Sequence, residues 1–371
     1  MKVAVVFGTR PEVIKMAPIV KELERRAIES CVIVTAQHRD LLDQKLEIFE
    51  ITPHYDLDIM RDNQDLFYVT SSVLNAIRPI LEKERPDAVL VQGDTTTAFA
   101  ASLAAFYLKI PVGHVEAGLR TRNKYNPFPE EINRQLTSRL VEMHFAPTVW
   151  AKNNLLAEGV NESDIYITGN TVIDALLMIV DPKYVFQDPV LNTLDYSHRR
   201  VIVLTSHRRE NFGEPMQNIF TACKHLVEQN PDVELVYPVH PNPNVQGPAH
   251  EILGNIPRVH LIEPLGYRPF VQLMNKSFLI LTDSGGIQEE APTLGKPVLV
   301  LRKTTERPEA IEVGTAKLVG TDYRTIVDEA QRLLSDRGAY REMTTKANPY
   351  GDGNSAARII DILMKRLSPL R

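Results

Sequence analysis

The chain has 371 residues, 43% of them hydrophobic and 24% charged, with a formal net charge of −5. At roughly 150 residues per domain this predicts two domains with cores of ordinary size. The slightly acidic balance, with no block of like charges, weighs against a nucleic-acid partner, which asks for a basic face. Cys31 and Cys223 are too far apart for a disulfide framework or a metal clamp and read as buried free thiols. The apolar run Val3 to Phe7 is too short for a signal-peptide core, and none approaches the roughly 20 residues that span a bilayer. A cytoplasmic protein with no membrane partner is expected.

Short apolar, β-branched runs alternate with segments of helical period, the mark of βαβ units and parallel sheets. In the first half, strands are expected at 2–7, 31–35, 88–91, 111–115 and 143–146. Val13, Ile14, Ala17, Val20 and Leu23 recur at helical spacing behind Pro11. Residues 98–108 make another helix, and Ile132, Leu136 and Leu140 mark a third. Between 178 and 197 the period breaks around Asp181-Pro182 and Asp188-Pro189, which reads as a linker. Strands resume at 201–205, 233–239, 259–262, 278–281, 297–301 and 317–319. A last helix, 355–367, follows a turn-rich stretch and is expected to cross back to the first domain. The fold class is therefore α/β, two Rossmann-like domains with parallel sheets facing a central cleft. Residues 1–175 with 355–371 form the first domain, and residues 176–354 the second.

In open α/β sheets, ligands gather outside the carboxyl ends of the strands. After the first strand, Gly8-Thr9-Arg10-Pro11-Glu12 opens a helix, with Lys15 one turn on. A glycine admits close backbone approach, a helix N-terminus favours an anion, and Arg10 and Lys15 add two cations. A tight turn with solvated cations fits the same residues. The loop lacks the spacing of both GxGxxG and Walker A, so nicotinamide and P-loop sites are disfavoured. Asp94, in Gln92-Gly93-Asp94-Thr95-Thr96-Thr97, either caps the next helix or leaves that to the threonines and faces a ligand. Glu116 follows the strand at 111–115. Glu130 and Glu131 open a helix after Asn126-Pro127-Phe128-Pro129, where acids commonly serve the helix dipole. Grouped on successive strand ends, Asp94, Glu116 and Glu130 repel one another. Repulsion keeps one acid protonated beside one carboxylate, which suits proton transfer. A divalent metal is the alternative use, but the clustered spacing of metal ligands is absent.

In the second half, His207, Arg208 and Arg209 follow a strand and suit a phosphate, with His207 able to act as an acid. A solvated basic loop is the alternative. His240 ends another strand within Pro238-Val239-His240-Pro241 and fits a structural role as well as a functional one. Thr282-Asp283-Ser284-Gly285-Gly286 turns a strand into a helix whose first N–H groups make a phosphate cradle. Glu290, further into that helix, suits ribose hydroxyls. Arg302, Lys303 and Arg307 add cations after the next strand.

Taken in order, these stretches resemble one family. Phe7-Gly8-Thr9-Arg10-Pro11-Glu12, Thr35-Ala36-Gln37-His38-Arg39, Gly93-Asp94-Thr95-Thr96-Thr97 and His114-Val115-Glu116-Ala117-Gly118-Leu119-Arg120 are its marks in the first half. Gly169-Asn170-Thr171-Val172-Ile173-Asp174, His207-Arg208-Arg209-Glu210-Asn211 and Asp283 through Pro292 continue the series. Thr304-Thr305-Glu306-Arg307-Pro308-Glu309-Ala310 and Asn348-Pro349-Tyr350-Gly351-Asp352-Gly353 complete it. Along essentially its whole length the chain is similar to the non-hydrolysing UDP-N-acetylglucosamine 2-epimerases. Leu265 departs from some bacterial members, which carry a polar residue there.

The resemblance implies a GT-B-like pair of domains that bind a UDP-sugar and interconvert UDP-GlcNAc and UDP-ManNAc without metal or cofactor. Elimination of UDP to 2-acetamidoglucal and its re-addition would supply ManNAc-type sugars for surface polysaccharide. By motif, Asp94, Glu116 and Glu130 become the acid/base residues and His207 sits near the departing diphosphate. Arg10, Lys15, Phe270 and Arg307 fall to the nucleotide, Ser284, Gly285 and Gly286 to the phosphates, and Glu290 to the ribose. Gln37, Gln44 and His240 fall to a regulatory UDP-GlcNAc site, and a homodimer is implied. A GT-B glycosyltransferase would share the fold and cradle but needs an acceptor site and less acid crowding. A non-catalytic UDP-sugar sensor would have no use for three acids.

Overall fold

The computed structural model describes residues 1–35, 46–59, 61 and 64–368. The chain divides into two compact units, Met1–Met178 with Tyr350–Arg371, and Ile179–Pro349. The first is built on one parallel sheet: β1 (Lys2–Phe7), β2 (Glu29–Val34), β3 (Tyr55–Asp56), β4 (Ala88–Gln92), β5 (Val112–Val115), β6 (Met143–Ala146) and β7 (Ile165–Ile167). Its strand order is β3-β2-β1-β4-β5-β6-β7. Every residue of β4 and β5 is buried, which a strand achieves only with both faces covered, and this is why the strands read as continuous apolar runs. The order reverses between β1 and β4, so the loops after these two strands flank a topological switch point.

Helix Arg10–Arg25 follows β1, capped by Thr9 and Glu12 in a reciprocal capping box with Pro11 in its first turn. Of its expected face, Val13, Ala17, Val20 and Leu23 are buried, while Ile14 is half-buried and Met16 fills the core beside them. Thr96–Tyr107 and Glu130–Leu140 are the other two helices expected in this half. The last helix, Ser355–Leu367, belongs to the first unit; Arg26, at the end of Arg10–Arg25, pairs with Asp361 at 2.5 Å.

The second unit repeats the plan with β8 (Arg200–Thr205), β9 (Val233–Pro238), β10 (Val259–Ile262), β11 (Leu279–Thr282), β12 (Val298–Val300) and β13 (Ala316–Leu318). All are parallel, in the order β10-β9-β8-β11-β12-β13, with the reversal between β8 and β11. Two α/β units with parallel sheets are the expected fold class. Both cysteines are buried and unpaired, and burial raises the Cys31 thiol to about 11 and Cys223 to about 12. Among the described residues no helix is long and apolar enough to cross a membrane.

Candidate active site

At the first unit's switch point the turn after β1 is closed by its neighbours. A Cβ on Gly8 would lie 1.9 Å from Thr35 Oγ1 and 2.7 Å from Thr97 Oγ1, so only glycine fits. The Glu12 carboxyl is buried and accepts the N–H groups of Gly8 (3.0 Å) and Thr9 (2.8 Å) and the Thr95 hydroxyl (2.8 Å). It ties the loop after β1 to the loop after β4. Burial, the dominant influence, raises it to about 7.

Glu116, the residue after β5, has a left-handed backbone with φ 62° and is 7% exposed. Lys15 Nζ lies 2.6 Å from each of its carboxylate oxygens, Gln92 Nε2 donates to it, and Asn170 Nδ2 donates from 3.2 Å. So many donors hold the ionised form. Asp94, after β4, accepts the Arg134 fork at 2.6 and 2.9 Å, while Thr95 caps the following helix. Of the two roles open to Asp94 in the sequence, the threonine has taken the cap.

His114 Nε2 lies 2.7 Å from the carbonyl oxygen of Gly93, the residue before Asp94, and burial pushes this histidine down to about 4. It is neutral near pH 7 and donates to that carbonyl. Glu131 is fully buried and accepts the N–H groups of Thr121 (2.9 Å) and Arg122 (3.1 Å). Burial opposes its ionisation, but those N–H bonds outweigh it and leave its carboxyl below the usual range. Glu131 is thus a brace for the 121–122 loop, and Arg134 Nη1 at 3.2 Å links it towards Asp94. Glu130 beside it is half-buried, and no hydrogen bond to its side chain is formed among the described residues. Arg10 is exposed.

In the second unit the loops after β8 and β11 meet at Asp283, which is fully buried. Its Oδ2 accepts the N–H groups of His207 (2.8 Å) and Arg208 (2.9 Å), Ser206 Oγ (3.2 Å) and Asn211 Nδ2 (3.1 Å). His207 stacks on exposed His240 with ring centroids 5.4 Å apart. Burial lowers the His207 pKa against the pull of Asp283, so it is less readily charged than a free histidine. Ser284, Gly285 and Gly286 start the helix Gly285–Glu290, and space lies open where a Cβ on Gly286 would stand. Glu290 accepts the Tyr267 hydroxyl at 2.7 Å, and Phe270 lies half-buried on the helix Tyr267–Lys276.

Three arginines of the second unit are seated on acids of that unit. Arg302 pairs with Glu210 at 2.7 Å and with Glu306 at 2.5 Å, Arg208 with Glu306 at 3.2 Å, and Arg307 with Glu289. Gln37 and Gln44 lie outside the described residues. No group of three His, Cys, Asp or Glu side chains is placed to hold a metal among the described residues.

The family model for UDP-N-acetylglucosamine 2-epimerase matches residues 21–364. The chain belongs to the UDP-N-acetylglucosamine 2-epimerase family. A UDP-N-acetylglucosamine 2-epimerase from Yersinia pestis is 54% identical, over 98% of this chain and 98% of its own. One from Escherichia coli strain K12 is 53% identical, again over 98% of each. The crystal structure of the Neisseria meningitidis UDP-GlcNAc 2-epimerase, bound to UDP-GlcNAc, superposes with a TM-score of 0.87 at 51% identity, covering 98% of this chain and 100% of that one. The chain is thus an isomerase of that family.

Several residues of this epimerase-family site escape sequence reasoning. Arg134, Gln92, Asn170, Asp283 and Glu289 act through partners tens of positions away, and their residue types carry no local signal of it. Glu131 had one: two adjacent acids at a helix start are more than the dipole needs, and one of them is a brace.

Proposed function

We propose that this family member interconverts UDP-GlcNAc and UDP-ManNAc by eliminating UDP and adding it back. A base takes the C2 proton, the C–H electrons become a C1=C2 double bond, and the C1–O bond breaks with its electrons leaving on UDP. The intermediate is 2-acetamidoglucal. UDP then attacks C1 while an acid delivers a proton to the opposite face of C2. Two faces demand more than one carboxyl group, and Asp94, Glu116 and Glu130 fill these roles. The observation that carries the reading is Glu116, a buried carboxylate kept ionised by Lys15, Gln92 and Asn170. In the second unit, His207 and Arg307 meet the diphosphate, with Ser284, Gly285 and Gly286 offering N–H groups. Glu290 takes the ribose, and Arg10, Lys15 and Phe270 complete the nucleotide contacts.

The same reading makes the protein a cytoplasmic homodimer that supplies ManNAc-type sugars to surface polysaccharide. His240, stacked on His207, is the described member of a regulatory UDP-GlcNAc site. The test is turnover of UDP-GlcNAc in D2O. Product with deuterium at C2, and traces of free UDP and 2-acetamidoglucal after long incubation, are expected. Product that keeps hydrogen at C2 overturns the elimination route.

A further inference from the structure

Two of the family-like stretches, 169–174 and 348–353, enter the chemistry above only through Asn170, and in the first unit residues 169–174 meet the chain from Tyr350 onward. Asn170 donates its backbone N–H to Tyr350 O at 2.7 Å, and Asp174 Oδ1 accepts the Ala356 N–H at 2.9 Å. Arg358 Nη1 donates to Thr168 O at 3.3 Å. The two backbones cross at glycines. Gly169 has φ +84°, and a Cβ there would lie 2.7 Å from Ser355 Oγ and 3.3 Å from both Gly351 Cα and Tyr350 O. A chain that returns this close leaves the Asn170 loop little freedom.

The Asn170 side chain is 2% exposed and its amide has one orientation. Oδ1 accepts the Val172 N–H at 3.1 Å, so Nδ2 is the group that faces Glu116 Oε1 at 3.2 Å. A flipped amide would set an oxygen against the carboxylate and an N–H against an N–H. Glu116 in turn has a backbone conformation that non-glycine residues seldom adopt, so its donors, and not its local preference, aim the carboxylate.

We propose that Asn170 is a positioning residue for Glu116, and that the C-terminal return at 350–355 is the clamp that fixes Asn170. This rests on the reading that Glu116 moves the C2 proton. A displacement of about 1 Å at a reacting group costs on the order of 10²-fold in rate. The titratable groups facing Glu116 include charged Lys15, from the helix Arg10–Arg25, and neutral His114 on its own strand; Gln92 faces it from β4 uncharged. Loss of the Asn170 donor, or a carboxylate in its place, therefore raises the pKa of Glu116.

The experiment compares Asn170→Ala, Asn170→Asp and Glu116→Gln with the wild type in UDP-GlcNAc turnover from about pH 5 to about pH 9, with thermal melts alongside. Asn170→Asp keeps the shape and the bond to Val172, so it guards against a variant that fails to fold. Both Asn170 variants are expected to lose about 10–100-fold in kcat with KM within about threefold, and to move the acid limb of the pH profile upward. A wild-type kcat and acid limb, or a rate loss that follows the melting temperature with the limb unmoved, overturns the proposal. Full activity in Glu116→Gln overturns instead the reading on which it rests.

Discussion

Glu12→Gln separates the charge of a buried acid from its shape. Glu12 is 1% exposed and closes the first helix with three hydrogen bonds, and burial nonetheless raises its pKa from 4.5 to about 7. Between those two values the folded protein keeps a proton that the unfolded chain has released. Stability contributed by that proton is complete below about pH 4.5 and is lost as pH rises through about 7. At about 1.4 kcal/mol per pH unit, the gap amounts to about 3 kcal/mol.

Glutamine keeps the geometry without the titration: its carbonyl can accept from Gly8 and Thr9, and its amide can face Thr95 Oγ1. The variant should therefore gain about 3 kcal/mol on the wild type between about pH 4.5 and about pH 8. The chain's one tryptophan, Trp150, lies in the first unit, so its fluorescence reads unfolding of the unit that holds Glu12. Urea titrations of both proteins in half-unit pH steps give the difference directly. A difference that stays constant across the range, to within about 0.5 kcal/mol, refutes the assignment of a desolvated carboxyl that keeps its proton up to about pH 7.

Asp94→Asn should cut kcat by about 10²–10⁴-fold while calorimetric UDP affinity stays within about twofold, since the acid is assigned to the sugar. Arg307→Ala should weaken UDP binding by about 1.5–3 kcal/mol in the same calorimeter, and an unchanged Kd removes Arg307 from the nucleotide site. Gly8→Ala forces a Cβ against Thr35 and Thr97 and should cost about 1–3 kcal/mol, seen as a lower urea midpoint of Trp150 fluorescence.

Eleven strand positions are legible because central strands covered on both faces are apolar almost throughout, and even the half-buried β10 and β13 keep short apolar runs bounded by turns. The two that were missed, β3 and β7, are the outermost strands of the first sheet, two and three residues long, with exposed positions that break the run. The helix Leu66–Glu84 also went unread. Sites were legible to the extent that strand ends are. Gly8, Asp94, His207 and Ser284 stand beside a switch point because topology puts them there, and Glu116 follows the strand next to β4. What pairs with each was not legible. Nothing in the stretch around Arg134 says that its guanidinium forks onto Asp94, forty positions earlier in sequence. Nor do the basic residues after these strands reveal that Arg208, Arg302 and Arg307 are already matched by acids.

That matching has a consequence for how the second unit meets its ligand. Arg302, Arg208 and Arg307 are occupied by Glu210, Glu306 and Glu289, and Glu306 is held down to about 2, with burial opposing and Arg302 favouring its charge. On the proposed reading, an incoming diphosphate meets Arg307 already seated on Glu289, so its binding exchanges one anion for another. Substitution of one anion for another leaves the net pairing of the arginine nearly unchanged, so a guanidinium already paired adds little long-range attraction for arbitrary polyanions. Discrimination then rests on what a carboxylate lacks, such as the extra oxygens of a phosphate and the nucleoside beyond it. On the same reading, Glu289 is at hand to take Arg307 back when UDP departs, so release need not leave a bare cation behind.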